Sequence, residues 1–355
     1  MRANIAFYVH HHGSGHVMRA LALSRALNGC DVTFLGSGLE PYSALIPSEI
    51  RCIRLPADTP AAHDHYHTDP RGPDCLHYAP LNIGGLRQRN AILTAFFEKT
   101  FPLLLIVDVS VETALLARLC GVPTIVVRQH GRRDDPAHRA AYQSASALLA
   151  PYPGAMERPE PDWLRNKTIY TGGFSRYAIG DRGGFEEDDK TVVIMTGTGG
   201  TSIDHAFAFH IAGACPGWTF RILGLESPDR TELPGNLRFL GKVPEPLPIL
   251  RRARVVIGNT GHNTVMEMAS LGKRFITVPE ARPFDEQQEK AGLLAESGLA
   301  LVVNPGALYS TDWARLLQIA SGGAADWPGV IDPGALEHAA GGILSVYQEL
   351  FGGAV

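Results

Sequence analysis

The chain has 355 residues, 45% of them apolar, and a formal charge of −4 at neutral pH. That length suits two domains of ordinary size, and the weakly acidic balance gives no electrostatic footprint for nucleic acid. No apolar stretch reaches membrane-spanning length, no signal peptide precedes the first strand-like run, and five scattered cysteines without a C-x-x-C pair read as reduced thiols of a cytoplasmic protein.

Strand-like and helix-like segments alternate from the start. Residues 5–9 are a short apolar run, followed by a glycine-bearing turn and a helix-like 17–27. Runs at 31–35, 51–55, 103–107 and 123–127 follow, with a helix-like 112–120 between the last two. Apolar runs of four to six residues without alternation suit strands buried on both faces, and repeated β-α units predict a doubly wound parallel sheet. Residues 57–85, rich in Pro, His and Asp, show little periodicity and read as a long loop of the kind that forms lids and binding loops. The pattern restarts after Gly173: residues 176–190 read as a linker, and runs at 191–195, 219–223, 237–240, 255–257, 274–278 and 300–303 supply a second set of strands. A helical tail spans 335–351. Two successive α/β domains then place a cleft between them.

Ten of the 14 histidines lie in the first 138 residues, which points to proton transfer or polar binding in the first half. The turn after the first strand runs His10, His11, His12, Gly13, Ser14, Gly15, His16. Its glycines allow a sharp bend and set His16 at a helix start, facing the carboxyl ends of the strands where such sheets bind ligands. The helix dipole there disfavours imidazolium and favours a neutral, proton-accepting ring. Asp108 ends the run 103–107 and so reaches the same edge, where it could orient that ring. Each residue also has a plain alternative as a helix cap.

In the second half, the run 191–195 enters a turn containing Thr196, Gly197, Gly199, Gly200 and Thr201, whose amides and hydroxyls could cradle a diphosphate. It lacks the Lys of a P-loop. The run 253–257 leads to Asn259, Gly261, His262, Asn263 and Thr264, then a helix-like 264–271 carrying Glu267 one turn in. A helix N-terminus meets an anion, and a carboxylate one turn on can reach an adjoining diol. Phosphate beside ribose means a nucleotide, and Asp285, Glu286 and Gln287 beyond the next strand could read an attached sugar. The cluster from His63 through Asp64 and His65 to His67 could bind a metal, since alternate residues of an extended chain share a face, but no second ligand cluster accompanies it. The basic patch Arg128, His130, Arg132 and Arg133 is either a cleft lining or a solvated loop.

In this order the motifs resemble those of the GT-B glycosyltransferases, nearest in the MurG-type and natural-product nucleotide-sugar transferases. The stretch from Gly13 to His16 is similar to their first glycine loop, and residues 121–131 to the strand and acceptor-side turn of the MurG group. The stretch from Gly261 to Glu267 is similar to their donor loop with its ribose-binding Glu, and Asp285 to Gln288 followed by Ala291 to their sugar-contacting segment. The resemblance covers most of the chain and is most specific in the C-terminal block. It implies a GT-B fold of two Rossmann-like domains facing a cleft: residues 1–175 for the acceptor, 190–335 for the nucleotide sugar, and a closing helix over 336–355.

The activity implied is a metal-independent, inverting hexosyl transfer from a UDP or dTDP sugar. His16 is the base, Asp108 its partner, and the nucleoside-diphosphate sugar a co-substrate with no further cofactor. Donor contacts fall to Gly15, Thr196, Gly197, Gly199, Gly200, Thr201, Val243, Gly261, His262, Asn263, Thr264, Glu267, Asp285, Glu286 and Gln287, and acceptor contacts to His12, Arg128 and His130. The expected partners are small molecules, with peripheral contact to the inner face of a membrane left open. Three positions depart from the family pattern: Asn259 stands for a frequent phosphate-binding His, Lys290 for a frequent Asn, and Arg19 for a frequent Pro. With Arg19, the Gly-x-Gly-His-x-x-Arg pattern also resembles the GT-B-fold nucleotide-sugar hydrolases of the pseudaminic acid pathway, in which the same His activates water. A non-catalytic nucleotide-sugar-binding protein is a third reading, and the intact His16, Asp108 and Glu267 speak against it. A dehydrogenase is a fourth, weakened by the missing G-x-G-x-x-G.

Overall fold

The computed structural model describes residues 2–11, 15–67, 73–177, 187–197, 199–229 and 232–352. The chain divides into two compact units, one of residues 1–129, 133–172 and 334–355, the other of residues 130–132 and 173–333.

The first unit is built on β1 (Asn4–Tyr8), β2 (Asp31–Gly36), β3 (Arg51–Arg54), β4 (Leu104–Asp108), β5 (Thr124–Val127), β6 (Ala147–Ala150) and β7 (Thr168–Tyr170). All seven are parallel, in the order β3-β2-β1-β4-β5-β6-β7. Strands β4, β5 and β6 are buried at every position, as continuous apolar runs require when helices cover both faces. The helices are α1 (Gly15–Ala26), α2 (Gly84–Lys99), α3 (Val111–Leu119), α4 (Pro136–Ser144), α5 (Asp162–Asn166) and, from the far end of the sequence, α11 (Ala335–Phe351). Ser110 caps α3 by accepting from the Thr113 amide, and Asp135 caps α4 with Pro136 in the first turn. Helix α11 packs on α1 and β7. Gly342 makes the β7 contact close, since a Cβ there would lie 3.0 Å from Ile169.

The apolar-run pattern does not single out β6 and β7, which are only four and three residues long. The long segment between β3 and α2 contains no strand or helix among its described residues, in line with its composition. It is nevertheless tied down. Asp64 accepts from the amides of Ala61 (2.8 Å) and Gly84 (2.9 Å). The buried Arg89 of α2 holds Asp58 in an ion pair and donates to the carbonyl of Pro56.

The second unit carries β8 (Asp188–Met195), β9 (Thr219–Leu223), β10 (Leu237–Phe239), β11 (Ala253–Asn259), β12 (Arg274–Val278) and β13 (Leu301–Val302), parallel in the order β10-β9-β8-β11-β12-β13. Its helices are α6 (His205–Ala214), α7 (Leu247–Arg252), α8 (His262–Leu271), α9 (Glu286–Glu296) and α10 (Trp313–Gly322). Ile194, Phe207, Phe220, Ile257 and Trp313 meet in its core. At the start of β8, Glu187 gathers Lys273 (2.8 Å), Arg274 (2.9 Å) and Arg254 (3.1 Å). Strand β8 begins at Asp188, within the stretch whose composition reads as a linker; residues 178–186 of that stretch lie outside the described residues.

In each sheet the strand order reverses direction once, between β1 and β4 and between β8 and β11. The connections leaving these two neighbours run to opposite sides. A crevice therefore opens at their carboxyl ends, where doubly wound sheets bind ligands.

Arg128, at the end of β5, joins the first unit's far edge to its core. Its guanidinium donates to Glu160 at 2.6 and 3.0 Å, to Thr168 at 3.2 Å and to the Tyr170 hydroxyl at 3.2 Å, with Glu157 at 3.1 Å. Burial works against its charge, but these partners outweigh it and raise the pKa further. Removing one member of a buried charge network strands the others, at a cost of about 3–5 kcal/mol. Arg128→Ala is therefore expected to lose about that much stability in urea unfolding followed by circular dichroism; a change within experimental error would show that the network does not hold the fold.

Candidate active site

The register that pairs Tyr8 with Val107 sets the turns after β1 and β4 side by side. His16 falls in the first turn of α1, directly after Gly15. Its Nδ1 lies 3.1 Å from Oδ2 of Asp108, the last residue of β4. Arg19, one turn further along α1, donates through Nε to Asp108 Oδ2 at 3.1 Å and through Nη2 to Oδ1 at 3.4 Å. Asp108 is only 6% exposed. Burial alone would push its carboxyl pKa up, but Arg19 and His16 hold it well below the usual carboxylate range. An ionised Asp108 accepting from Nδ1–H leaves His16 Nε2 as the proton-accepting nitrogen, and Nε2 has no hydrogen-bond partner among the described residues.

Two further features surround this pair. Val109, next in sequence, has φ of +66°, a left-handed conformation that β-branched residues rarely adopt, so the turn presenting Asp108 is strained. The ring of His10 meets His16 edge-on at 5.5 Å and stacks on His11 at 4.7 Å. His11 in turn faces Asp58 at 3.9 Å.

The acceptor positions expected from the sequence fare differently. His12 lies outside the described residues, with Gly13 and Ser14. Arg128 is paired with Glu157 and Glu160, and His130 is 2% exposed. Burial of both is a feature that a basic patch in sequence does not reveal.

Among the described residues one cluster has metal-like spacing, His77, Asp135 and His138. His63, His65 and His67 do not form one. In the cluster, His138 Nδ1 lies 2.5 Å from Asp135 Oδ2, while Arg133 Nη1 lies 3.0 Å from His138 Nε2. Burial, helped by the Arg133 charge, pushes the His138 pKa down to about 4. A guanidinium can only donate, so Nε2 accepts and Nδ1 carries the proton. A metal on Nδ1 would force the proton to Nε2, against Arg133. The cluster is a hydrogen-bonded brace around the α4 cap.

In the second unit, the turns after β8 and β11 flank the other crevice. Gly197, Gly199 and Gly200 are exposed, and their amides have no acceptor among the described residues. Gly261 precedes α8 without a side-chain cap, and the helix N-terminus runs through His262, Asn263 and Thr264. The helix starts two residues before its apolar pattern begins. Glu267, buried in α8, is 2.8 Å from Arg176. Burial raises its pKa and Arg176 partly offsets that.

Several of the remaining donor positions are already engaged. Thr196 Oγ1 donates to the carbonyl of Leu223 (3.1 Å). Thr201 Oγ1 donates to Glu280 Oε1 (3.1 Å), as do the Ser202 amide (2.6 Å), the Ser202 hydroxyl (2.7 Å) and Asn259 Nδ2 (3.1 Å). The cradle read from the glycine turn thus holds an internal carboxylate at its Thr201 end. Gln287 accepts from the Glu280 amide (3.0 Å), and Glu286 pairs with Lys290 (3.5 Å). Phe284 and Asp285 adopt positive φ of 61° and 53°, and Arg132 faces Asp285 (3.6 Å) and Glu289 (3.2 Å). Val243 sits half-buried in the loop between β10 and α7.

Sequence reasoning misses Glu280, Arg282, Arg176 and Val109, and notes Arg19 only as a departure. Glu280 was reachable by the rule that finds Asp108, since it follows the apolar run of β12 at the carboxyl edge. Positive φ at a valine leaves no sequence signal.

Residues 237–311 match the glycosyltransferase family 28 C-terminal domain. Solved structures similar along nearly the whole chain include the glycotransferase of kitacinnamycin, at 16% identity and TM-score 0.66, covering 98% of this chain and 96% of that one. Acinetobacter baumannii MurG is similar at 15% identity and TM-score 0.61, covering 97% of this chain and 100% of that one. Arabidopsis thaliana UGT89C1, complexed with UDP-L-rhamnose, is similar at 16% identity and TM-score 0.64, covering 99% and 96%. No curated protein matches the chain in sequence. The chain thus has a GT-B fold of two Rossmann-like units, and its residues 237–311 are similar to the glycosyltransferase family 28 C-terminal domain.

Proposed function

We propose that this protein transfers a sugar from a nucleoside-diphosphate sugar to an acceptor hydroxyl, by a single inverting displacement that needs no metal. The observation that carries this reading is the pair His16–Asp108 at 3.1 Å on the switch point of the first sheet, with Nε2 left to take a proton. His16 Nε2 accepts the proton of the acceptor hydroxyl as its oxygen attacks the anomeric carbon. The bond from that carbon to the diphosphate oxygen breaks, and the nucleoside diphosphate leaves with the electron pair. Asp108 stabilises the resulting imidazolium. Attack opposite the leaving group inverts the anomeric centre.

The second unit supplies the donor site in this reading. Open amides of the glycine turn and the N-terminus of α8 favour the growing negative charge of the leaving group. Glu267 takes the ribose diol, whose hydroxyls satisfy a carboxylate that burial makes costly to ionise. A uridine or thymidine diphosphate sugar fits the likeness to the Arabidopsis structure with UDP-L-rhamnose and to LpCGTa in complex with UDP. Residues 1–175 then serve the acceptor and 190–335 the donor. All five cysteines are free, which suits work in the cytoplasm. No described helix is long and apolar enough to cross a membrane.

One observation favours a second reading. Arg19 reaches Asp108 directly, so the Arg of the Gly-x-Gly-His-x-x-Arg pattern joins the His at the site, and in the hydrolases it resembles the nucleophile is water. Incubating the chain with UDP- and dTDP-sugars alone separates the two: release of free sugar at the full turnover rate without acceptor would replace transfer with hydrolysis.

His16→Ala is expected to abolish turnover by either nucleophile while leaving donor affinity within about twofold, because the base and the donor cradle lie on different sheets. Full activity in that variant removes the base assignment. Glu267→Ala is expected to weaken donor binding by about 1–3 kcal/mol, the worth of charge-assisted hydrogen bonds to the diol. Isothermal calorimetry showing unchanged affinity would take the ribose away from Glu267.

A further inference from the structure

We propose that Arg282 carries the charge contact to the donor diphosphate, a role that Asn259 has lost. The assignment rests on the donor reading above. It starts from a charge imbalance at the switch point of the second sheet. A diphosphate is doubly negative, yet the two turns that flank the crevice already enclose a carboxylate, that of Glu280, which is 8% exposed. Four donors converge on its Oε1, from Thr201, both groups of Ser202 and Asn259.

Asn259 has nothing left to give. One amide nitrogen supplies two hydrogens, and Nδ2 of Asn259 is shared among Glu280 Oε1 (3.1 Å), the Val278 carbonyl (3.1 Å) and Thr201 Oγ1 (3.2 Å). The side chain is neutral and turned into the protein. It stitches β11 to the glycine turn and to the segment after β12, and it cannot meet a phosphate as a cation.

Arg282 lies two residues beyond Glu280 and reaches back over the glycine turn. Its Nη2 donates to the carbonyl of Gly200 at 2.6 Å, and its Nη1 to the carbonyl of Ala281 at 3.0 Å. A Cβ on Gly199 would lie 3.4 Å from Nη2, so the guanidinium rests directly on the turn. Both bonds are to carbonyls. No carboxylate pairs with Arg282 among the described residues, whereas Arg176 is paired with Glu267 and Arg132 with Asp285 and Glu289. Two of the five guanidinium donors are spent, and those left lie beside the open amides of Gly199 and Gly200. A cation anchored by backbone carbonyls and flanked by free amides is a preorganised phosphate contact.

The test is calorimetric titration of the full chain with UDP, dTDP and GDP, each against its monophosphate, in the unaltered protein and in Arg282→Ala, Arg282→Gln and Arg282→Lys. The unaltered chain is expected to prefer one diphosphate to its monophosphate. Arg282→Ala and Arg282→Gln should weaken that diphosphate by about 10- to 100-fold, the worth of one or two charged hydrogen bonds, and the monophosphate by less than about threefold. Arg282→Lys should recover part of the loss, since it restores the charge without the fork. An unchanged ratio of diphosphate to monophosphate affinity in the Ala and Gln variants, with melting temperatures like that of the unaltered chain, overturns the assignment and leaves the donor reading standing. Binding of none of the three diphosphates to the unaltered chain overturns both.

Discussion

Each unit of this protein organises its crevice around one buried carboxylate at the carboxyl edge of its sheet. Taking such a group out of water costs several kcal/mol unless hydrogen bonds and opposite charge replace the lost solvation, so its surroundings are fixed by that requirement. Asp108 meets it with Arg19 and His16. Glu280 meets it with two hydroxyls, an amide and the side chain of Asn259. The first solution uses a full cation and keeps the carboxylate ionised. The second uses neutral dipoles, which hold the turns together without cancelling the charge. His16 and Arg19 on one side, and Thr201, Ser202 and Asn259 on the other, are where they are because these two groups need partners.

The contrast shapes the chemistry proposed for each side. An ionised Asp108 fixes the ring of His16 and its tautomer, so the nitrogen that takes the proton is chosen before any substrate arrives. Arg19 shares that carboxylate and ties the base to the body of α1. On the other sheet, the neutral clamp around Glu280 sets the spacing of the glycine turn and the N-terminus of α8 while leaving the Gly197, Gly199 and Gly200 amides open. Donor and base can therefore be altered separately, which is why the experiments on Glu267 and His16 read different steps.

Much of this was legible in the sequence, because the signals were of the kind that parallel sheets amplify. Continuous apolar runs located the central strands of both sheets, and turns rich in glycine located the crevices. His16, Asp108, Gly261 and Glu267 follow from strand ends and helix starts alone. What escaped depends on three-dimensional competition for partners. Arg128 and His130 look like a basic patch in the sequence and are buried in the structure. Thr201 looks like a phosphate ligand and is bonded to Glu280. The half-buried Arg282 reads in the sequence as one more surface charge until the carbonyls of Gly200 and Ala281 fix where it points. Short edge strands such as β7 carry too few residues for any period to show.

The path of the chain has a consequence for how the molecule comes into being. Helix α11 belongs to the first unit and packs on α1, the helix that begins beside His16, yet its residues are made only after the whole of the second unit. Domains tend to fold as they emerge during synthesis, so the second unit can be complete while the first still lacks a supporting helix. A nascent or prematurely halted chain would hold the turns of its second sheet complete while α1, which carries His16, is still unbraced. On the proposed assignment, competence for proton transfer is then the last property the growing polypeptide acquires.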